Sequence, residues 1–148
     1  MSFLVVPGSA PSIRYAGRPM EILAGLDERP PGFAVAELTV PAGFAGPPPH
    51  AHDAFDEGIY VLEGSILVAG DGEPFEAGAG TLFVAPRGER HRFANPSDRP
   101  ARVLGLWGPS GPAMELMRAV GEALPAEGAA DPEAMRAVYE AHQSRILP

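Results

Sequence analysis

Apolar and polar positions alternate with a period of two over short stretches of the chain, and clusters of Gly, Pro, Asn and Asp cut these stretches apart. The alternation predicts strands at Leu4 to Val6, Ser12 to Tyr15, Met20 to Ala24, Phe33 to Val40, Gly58 to Leu62, Ser65 to Ala69, Pro74 to Glu76, Thr81 to Ala85, His91 to Ala94 and Ala101 to Leu106. Turn signals between them include Arg29-Pro30-Pro31-Gly32, Gly70-Asp71-Gly72 and Asn95-Pro96-Ser97-Asp98. Many short strands at such spacing indicate an all-β sandwich or barrel.

After Gly108 the period changes. Ala113 to Leu124 and Pro132 to Ile146 carry apolar residues at helical spacing, with Met114, Met117, Val120 and Leu124 on one stripe and Met135, Val138, Tyr139 and His142 on another. Asp131 is placed to cap the second helix, and Pro132 suits its first position. The expected organisation is a β-barrel over residues 1–112 and a helical extension over 113–148, packed on the barrel within the same domain. A lid over a pocket is the livelier alternative for these helices. His142 is expected on a helix surface.

Composition narrows the chemistry. Gly and Pro number 18 each, yet the strand-like alternation outweighs a disordered reading. A formal net charge of -8 disfavours a phosphate-tracking surface, so nucleic acid is not an expected partner. All 11 basic residues are arginine, which removes Schiff-base chemistry and a Walker phosphate loop. With no cysteine, a metal would have to be held by imidazole, carboxylate, carbonyl or water. The start, MSFLVVPGSAP, has neither a basic n-region nor an apolar run long enough for a signal or a membrane span. A soluble, cytoplasmic protein is therefore expected, and the abundance of Ala, Gly, Pro and Arg suggests a bacterial gene.

The candidate chemistry lies in HAHDAFDEGIYVLEG, residues 50 to 64, and GTLFVAPRGERHRFAN, residues 80 to 95. On an extended strand His50 and His52 project from one face, so both imidazoles can reach one ion. Glu57 lies an odd number of residues beyond His52, and the Asp53 to Asp56 segment must bend or bulge to turn it inward. Asp53 and Asp56 are alternative carboxylates. If Glu57 faces the interior, Ile59 and Val61 share its side and Glu63 approaches the rim. His91 opens a short strand far downstream, and it can meet the others only if the sheet closes on itself. Arg87, Arg90 and Arg92 surround His91, either attracting an anion or pairing with surface acids.

Together these segments resemble the paired motifs of the cupin superfamily. His50, His52, Glu57 and Gly64 stand at the spacing of the first motif, and Gly80, Pro86, Gly88, His91 and Asn95 at that of the second. One departure is Phe44, which falls where the family has a glycine. The resemblance implies a double-stranded β-helix, or jelly-roll, barrel. It also implies a single divalent transition metal ion, Fe, Mn, Ni, Co, Cu or Zn, on His50, His52, Glu57 and His91, with Gly64, Gly80 and Gly88 shaping turns. Asn95 is expected to satisfy backbone groups at a strand end.

Three neutral imidazoles and one carboxylate with a divalent ion give a net charge of about +1 and leave coordination positions open. The expected substrate pocket draws on Phe33, Val35, Ile59, Val61, Phe83, Phe93, Leu104 and Leu106. Within the superfamily the chain resembles small single-domain quercetin dioxygenase-like cupins. They imply a metal-dependent dioxygenase acting on a small enolisable aromatic or flavonol-like molecule, with Glu57 as catalytic base and dioxygen as co-substrate. The alternatives are a non-redox isomerase, cyclase or decarboxylase using the same ligands, and a non-catalytic ligand-binding barrel. A homodimer is what the resemblance implies for assembly. Trp107 and Tyr60 are expected in the core.

Overall fold

Side-chain parity decides the inside of each strand. Along Ala101–Gly108, residues Ala101, Val103, Gly105 and Trp107 are buried while Arg102 is exposed. Along Ala34–Val40, residues Ala34, Ala36 and Val40 are buried while Val35, Glu37 and Thr39 are not. In the computed structural model, which describes residues 4–26, 32–124 and 131–148, the strands are β1 (Ser12–Tyr15), β2 (Arg18–Ala24), β3 (Ala34–Val40), β4 (His50–His52), β5 (Asp56–Glu63), β6 (Ser65–Ala69), β7 (Phe75–Gly78), β8 (Leu82–Ala85), β9 (Arg92–Ala94) and β10 (Ala101–Gly108). Helices α1 (Ser110–Ala123) and α2 (Pro132–Ala141) and a last strand, β11 (Ser144–Ile146), follow.

One sheet has the order β1-β2-β3-β10-β5-β8, a second β7-β6-β9, and a two-stranded piece joins β11 to β4. Their strand pairs run antiparallel. Single bridges, Phe44 to Asn95 and His50 to His91, add links outside the regular ladders. The result is a jelly-roll barrel with a C-terminal helical extension.

Two apolar clusters hold it. Val40, Ile59, Val61, Ile66, Val68, Phe93 and Val103 fill the space between the sheets. Tyr15, Met20, Ile22, Phe55 and Trp107 pack with Met114, Leu116, Met117 and Val120 of α1 and with Met135 and Tyr139 of α2. Full burial of each large apolar side chain contributes about 1.5–3 kcal/mol, so the helices are part of the core. Gly121 allows α1 its close approach, because a Cβ there would overlap the Arg14 carbonyl of β1. Asp131 accepts a hydrogen bond from the Glu133 amide at 3.0 Å, with Pro132 at the first helical position.

Several expectations change. Leu4 to Val6 is not a strand, and Leu4 is 85% exposed; an apolar triplet without a pairing partner has nothing to bury against. Helix α1 begins at Ser110 and not at Ala113. The second helix stops at Ala141, short of Ile146, where Gln143 takes a positive φ of 51°. The chain then pairs with β4, setting Ser144 opposite His52 and Ile146 opposite His50. Helical spacing could not reveal that edge, because β4 lies some ninety residues earlier. Of the Arg29 to Gly32 turn, positions 29–31 lie outside the described residues. Among the described residues, no helix is long and apolar enough to cross a membrane.

Candidate metal centre

Strand β4 carries His50 and His52 into the barrel, and all three of its residues are buried. The chain bends at Asp53 and Ala54, and Phe55 is fully buried with its ring stacked 4.3 Å from that of His52. That bend restores Glu57 to the interior at the start of β5. His91 arrives just before β9, held to His50 by backbone hydrogen bonds of 2.9 and 2.8 Å in the two directions. Barrel closure thus brings together the four residues, whose donor atoms all lie within 4.8 Å of one another.

Each imidazole is fixed through Nδ1. His50 Nδ1 lies 2.9 Å from the Pro48 carbonyl and His91 Nδ1 3.0 Å from the Glu89 carbonyl. A carbonyl only accepts, so both rings hold a proton on Nδ1 and direct a bare Nε2 toward the centre. His52 Nδ1 lies 2.9 Å from Ser144 Oγ. Nε2 of His52 and of His91 are buried without a hydrogen-bond partner. Such orphaned nitrogens are costly by about 1–3 kcal/mol each unless something else occupies their lone pairs.

Metal–nitrogen bonds near 2.0–2.1 Å put two donors on one ion roughly 3.0–4.2 Å apart. His52 Nε2 to Glu57 Oε2 is 3.3 Å and His91 Nε2 to Glu57 Oε1 is 3.9 Å. The cluster could therefore hold a metal ion. Burial first, then the neighbouring His91 and His52, lowers the His50 pKa to about 3 and keeps that ring neutral. Burial alone would raise the Glu57 carboxyl, but the contact with His52, and after it the attraction of His52, His91 and His50 when those rings are protonated in acid, outweigh it and hold the pKa at about 2.

Trp107 Nε1 donates to Glu57 Oε2 at 2.9 Å. Its indole lies over Gly105, where a methyl group would collide with the six-membered ring. Above the cluster, Tyr139 packs with ring centroids 5.3 Å from His50 and 6.2 Å from His52. Burial, and after it the Glu57 charge, pushes the Tyr15 phenol above its ordinary pKa; burial followed by Tyr15 and Glu57 does the same to Tyr139. Both remain neutral hydrogen-bond donors at ordinary pH.

A cavity of about 30 Å3 adjoins the cluster. His50 and Glu57 line it, with Tyr15, Met20, Leu38, Ile59, Phe93, Val103, Trp107, Met117, Val120 and Tyr139 among the other walls. Of the expected pocket residues, Ile59 and Phe93 stand in this wall. Val61 is buried in the inter-sheet cluster, and Phe83 packs against that cluster from a half-buried position. Phe33 is 55% exposed, and Val35, Leu104 and Leu106 lie on the outer parity of β3 and β10. The charged residues mark that parity: Val35 shares a face with Glu37 and Leu104 with Arg102, and Arg102 Nε pairs with Glu37 at 2.8 Å outside the barrel. The same alternation points inward to Gly105 and Trp107. Tyr139, Met117 and Val120 come from the extension, where a helical stripe shows burial without showing what it covers.

The remaining candidates sit outside the cluster. Asp53 pairs with Arg145 and Asp56 with Arg87; Glu63, at the rim, pairs with Arg102. Arg90 donates to the Gly70 and Pro148 carbonyls and Arg92 to the Ala45 carbonyl. Asn95 is fully buried, donating to the Val40 and Arg99 carbonyls and accepting from Ser97. Gly64, Gly80 and Gly88 have positive φ angles of 74°, 87° and 80°. Tyr60 is 37% exposed on the outer face, not in the core as expected, whereas Trp107 is buried. His142 is half-buried at the end of α2.

Comparison with known proteins agrees with this architecture. Residues 36–107 match the family described as Cupin domain, a segment that includes all four clustered residues. The tetracenomycin polyketide synthase protein TcmJ of Streptomyces glaucescens is 34% identical over 84 residues, 57% of this chain and 56% of that protein. The polyketide synthase CurC of Streptomyces cyaneus is 37% identical over 67 residues, 45% of this chain and 44% of that protein. These matches span about half the length of each relative. The polyketide cyclase RemF of Streptomyces resistomycificus superposes with a TM-score of 0.60 at 27% identity, covering 73% of this chain and 80% of that one. The fold is a cupin-type barrel with a helical extension, and these similarities support the cupin superfamily.

Proposed function

From this cupin barrel as premise, we propose that the protein is a metal-dependent cyclase of enolisable, aromatic polyketide-type substrates. One observation carries the reading: His50 and Glu57 open onto a cavity otherwise walled largely by apolar and aromatic side chains, with no arginine among its described lining residues. Such a wall suits a flat, uncharged or phenolic molecule and offers no counter-ion to a phosphorylated one. The likeness to TcmJ, CurC and RemF supports the same class.

A divalent ion, when bound, would polarise a substrate carbonyl as a Lewis acid. The other work falls to side chains. Glu57 takes a proton from a carbon flanked by two carbonyls, while Trp107 holds one carboxylate oxygen in place. The electron pair released forms a carbon–carbon bond to another carbonyl carbon of the same molecule, and the oxygen of that carbonyl receives a proton from Tyr15 or Tyr139. Loss of water then gives the unsaturated ring, and the proton on Glu57 returns to the phenol. The net change is one water lost per ring closed, with no oxidant.

At about 30 Å3 the cavity holds little more than water, whereas ligand pockets run to roughly 300–1,000 Å3. Substrate entry therefore displaces part of the wall. Met117 and Val120 of α1 and Tyr139 of α2, together with Pro47 of the connection between β3 and β4, form the part of the wall outside the strands.

The second reading is a dioxygenase on a flavonol-like substrate, favoured by a donor set that suits redox-active ions equally well. Zinc-loaded protein given a linear poly-β-ketone substrate under strict anaerobiosis separates the two. Cyclisation predicts a product lighter by one water and no oxygen demand. Turnover only in air, with dioxygen consumed in proportion, overturns the cyclase reading.

A further inference from the structure

The three imidazoles of the cluster are not oriented in the same way. Two are held locally, since the Pro48 and Glu89 carbonyls that fix His50 and His91 lie two residues before each ring. His52 instead depends on Ser144, 92 residues away on β11. Ser144 is 1% exposed, and its hydroxyl donates to the His142 carbonyl at 3.3 Å. With its proton so directed, Oγ accepts from His52 Nδ1–H, and this leaves Nε2 bare toward Glu57 and His91. A carbonyl imposes that tautomer by its nature. A hydroxyl imposes it only when its own proton is committed elsewhere, and here the turn after α2 supplies that commitment.

We propose that the C-terminal strand is a structural part of the metal centre, with Ser144 as the positioning residue that sets the tautomer and orientation of His52. The strand is anchored around this contact. Ser144 pairs with His52 and Ile146 with His50 in the β11–β4 register, the Asp53 amide donates to the Gln143 carbonyl at 2.9 Å, and the Leu147 amide to the Pro49 carbonyl at 2.8 Å. Metal affinity and docking of the C-terminus are thereby coupled, and the coupling acts in both directions. Tyr139 sits on the same segment, packed on the His50 and His52 rings, so the coupling joins the ion to the cavity wall. The inference rests on the metal reading of the cluster and is independent of the reaction catalysed.

The test measures zinc affinity of the full chain by competition with a chromophoric chelator, alongside the visible spectrum of the cobalt(II)-loaded protein. Ser144→Ala is expected to weaken zinc roughly tenfold to a hundredfold, the range found for partners of ligating histidines, and to alter the cobalt spectrum. Ser144→Thr, which keeps the hydroxyl, restores both. Arg118→Ala, at an exposed position of α1 away from the strand, leaves both unchanged. Unaltered zinc affinity and cobalt spectrum in Ser144→Ala overturn the proposal, as does equal loss in the Ala and Thr variants. If Ser144→Ala does not fold, hydrogen exchange of the unmodified protein decides: zinc should slow the amides of residues 144–147, and indifference to zinc there overturns it. Failure of the unmodified protein to bind zinc or cobalt would instead remove the metal reading itself.

Discussion

Trp107 and Glu57 occupy paired positions on β10 and β5 and are joined by a buried hydrogen bond of 2.9 Å from the indole to the carboxylate. The indole thus serves the core and the site together. Replacing it with phenylalanine keeps most of the apolar surface and removes the donor. Trp107→Phe is expected to cost about 1–3 kcal/mol of stability and to weaken zinc binding, read by denaturant melts and chelator competition. An unchanged zinc affinity would place the hydrogen bond outside the work of the site. Gly105→Ala should have a similar effect, because the added methyl drives the indole from its seat.

Stripping the metal should destabilise the fold. Free zinc at a hundred times its Kd adds about 2.7 kcal/mol to a protein that binds it only when folded. Thermal scans should show Tm rising with added zinc in the unmodified protein and no such rise in His91→Ala or His52→Ala. A zinc-dependent shift that survives both substitutions would locate the ion elsewhere.

The two phenols should act on turnover more than on the ion. Tyr139→Phe and Tyr15→Phe each remove a hydroxyl from the cavity wall while leaving the four clustered residues in place. A drop in kcat of at least about tenfold, equivalent to 1.4 kcal/mol at the transition state, is expected with zinc affinity preserved. Equal rates in the Phe variants would assign proton donation to water.

Opening of the wall is measurable with a flat polyphenol as probe. Trp107 is the only tryptophan in the chain, so quenching of its fluorescence by quercetin reports occupancy of the cavity. Hydrogen exchange across α1 and α2 should change on binding, since Met117, Val120 and Tyr139 must move. Full quenching with no change in exchange across residues 110–141 would show that the ligand enters by another route.

Acid should destabilise the metal-free protein. His50 falls from 6.5 to about 3 on folding and Glu57 from 4.5 to about 2. In the windows between those values the unfolded chain binds protons that the folded chain does not, so stability rises with pH across both. Urea midpoints measured without metal should fall steadily from about pH 6.5 toward pH 2. At the alkaline end the raised Tyr15 pKa reverses the sign, because the unfolded phenol ionises first and stability declines above pH 10. A flat acid limb in the His50→Ala variant but not in the unmodified protein would assign most of the slope to that one ring.

Much of this architecture is written in local pattern. Alternation placed most of the strands, and the Asp131 and Pro132 pair marked the start of α2 because capping depends on residues within one turn. Motif spacing, through the resemblance to the cupin motifs, selected the four clustered residues; strand parity and a bend before Glu57 aim three of them, while His91 arrives only through barrel closure. The outer faces of β3 and β10 were legible too, through Glu37 and Arg102, although apolar character alone favours Leu104 and Leu106 over Gly105.

The sequence by itself determined strand parity, the helix cap and the residue types available to the cluster, and the first two depend on neighbours a few residues apart. Tertiary structure alone decided that Ser144 would fix His52, that Trp107 would hold Glu57, and that Tyr15 and Tyr139 would line the cavity. These contacts cross 50 to 92 residues in the two hydrogen-bonded cases. They exist because barrel closure and docking of the extension bring distant backbone edges together, and no local periodicity encodes which edges meet.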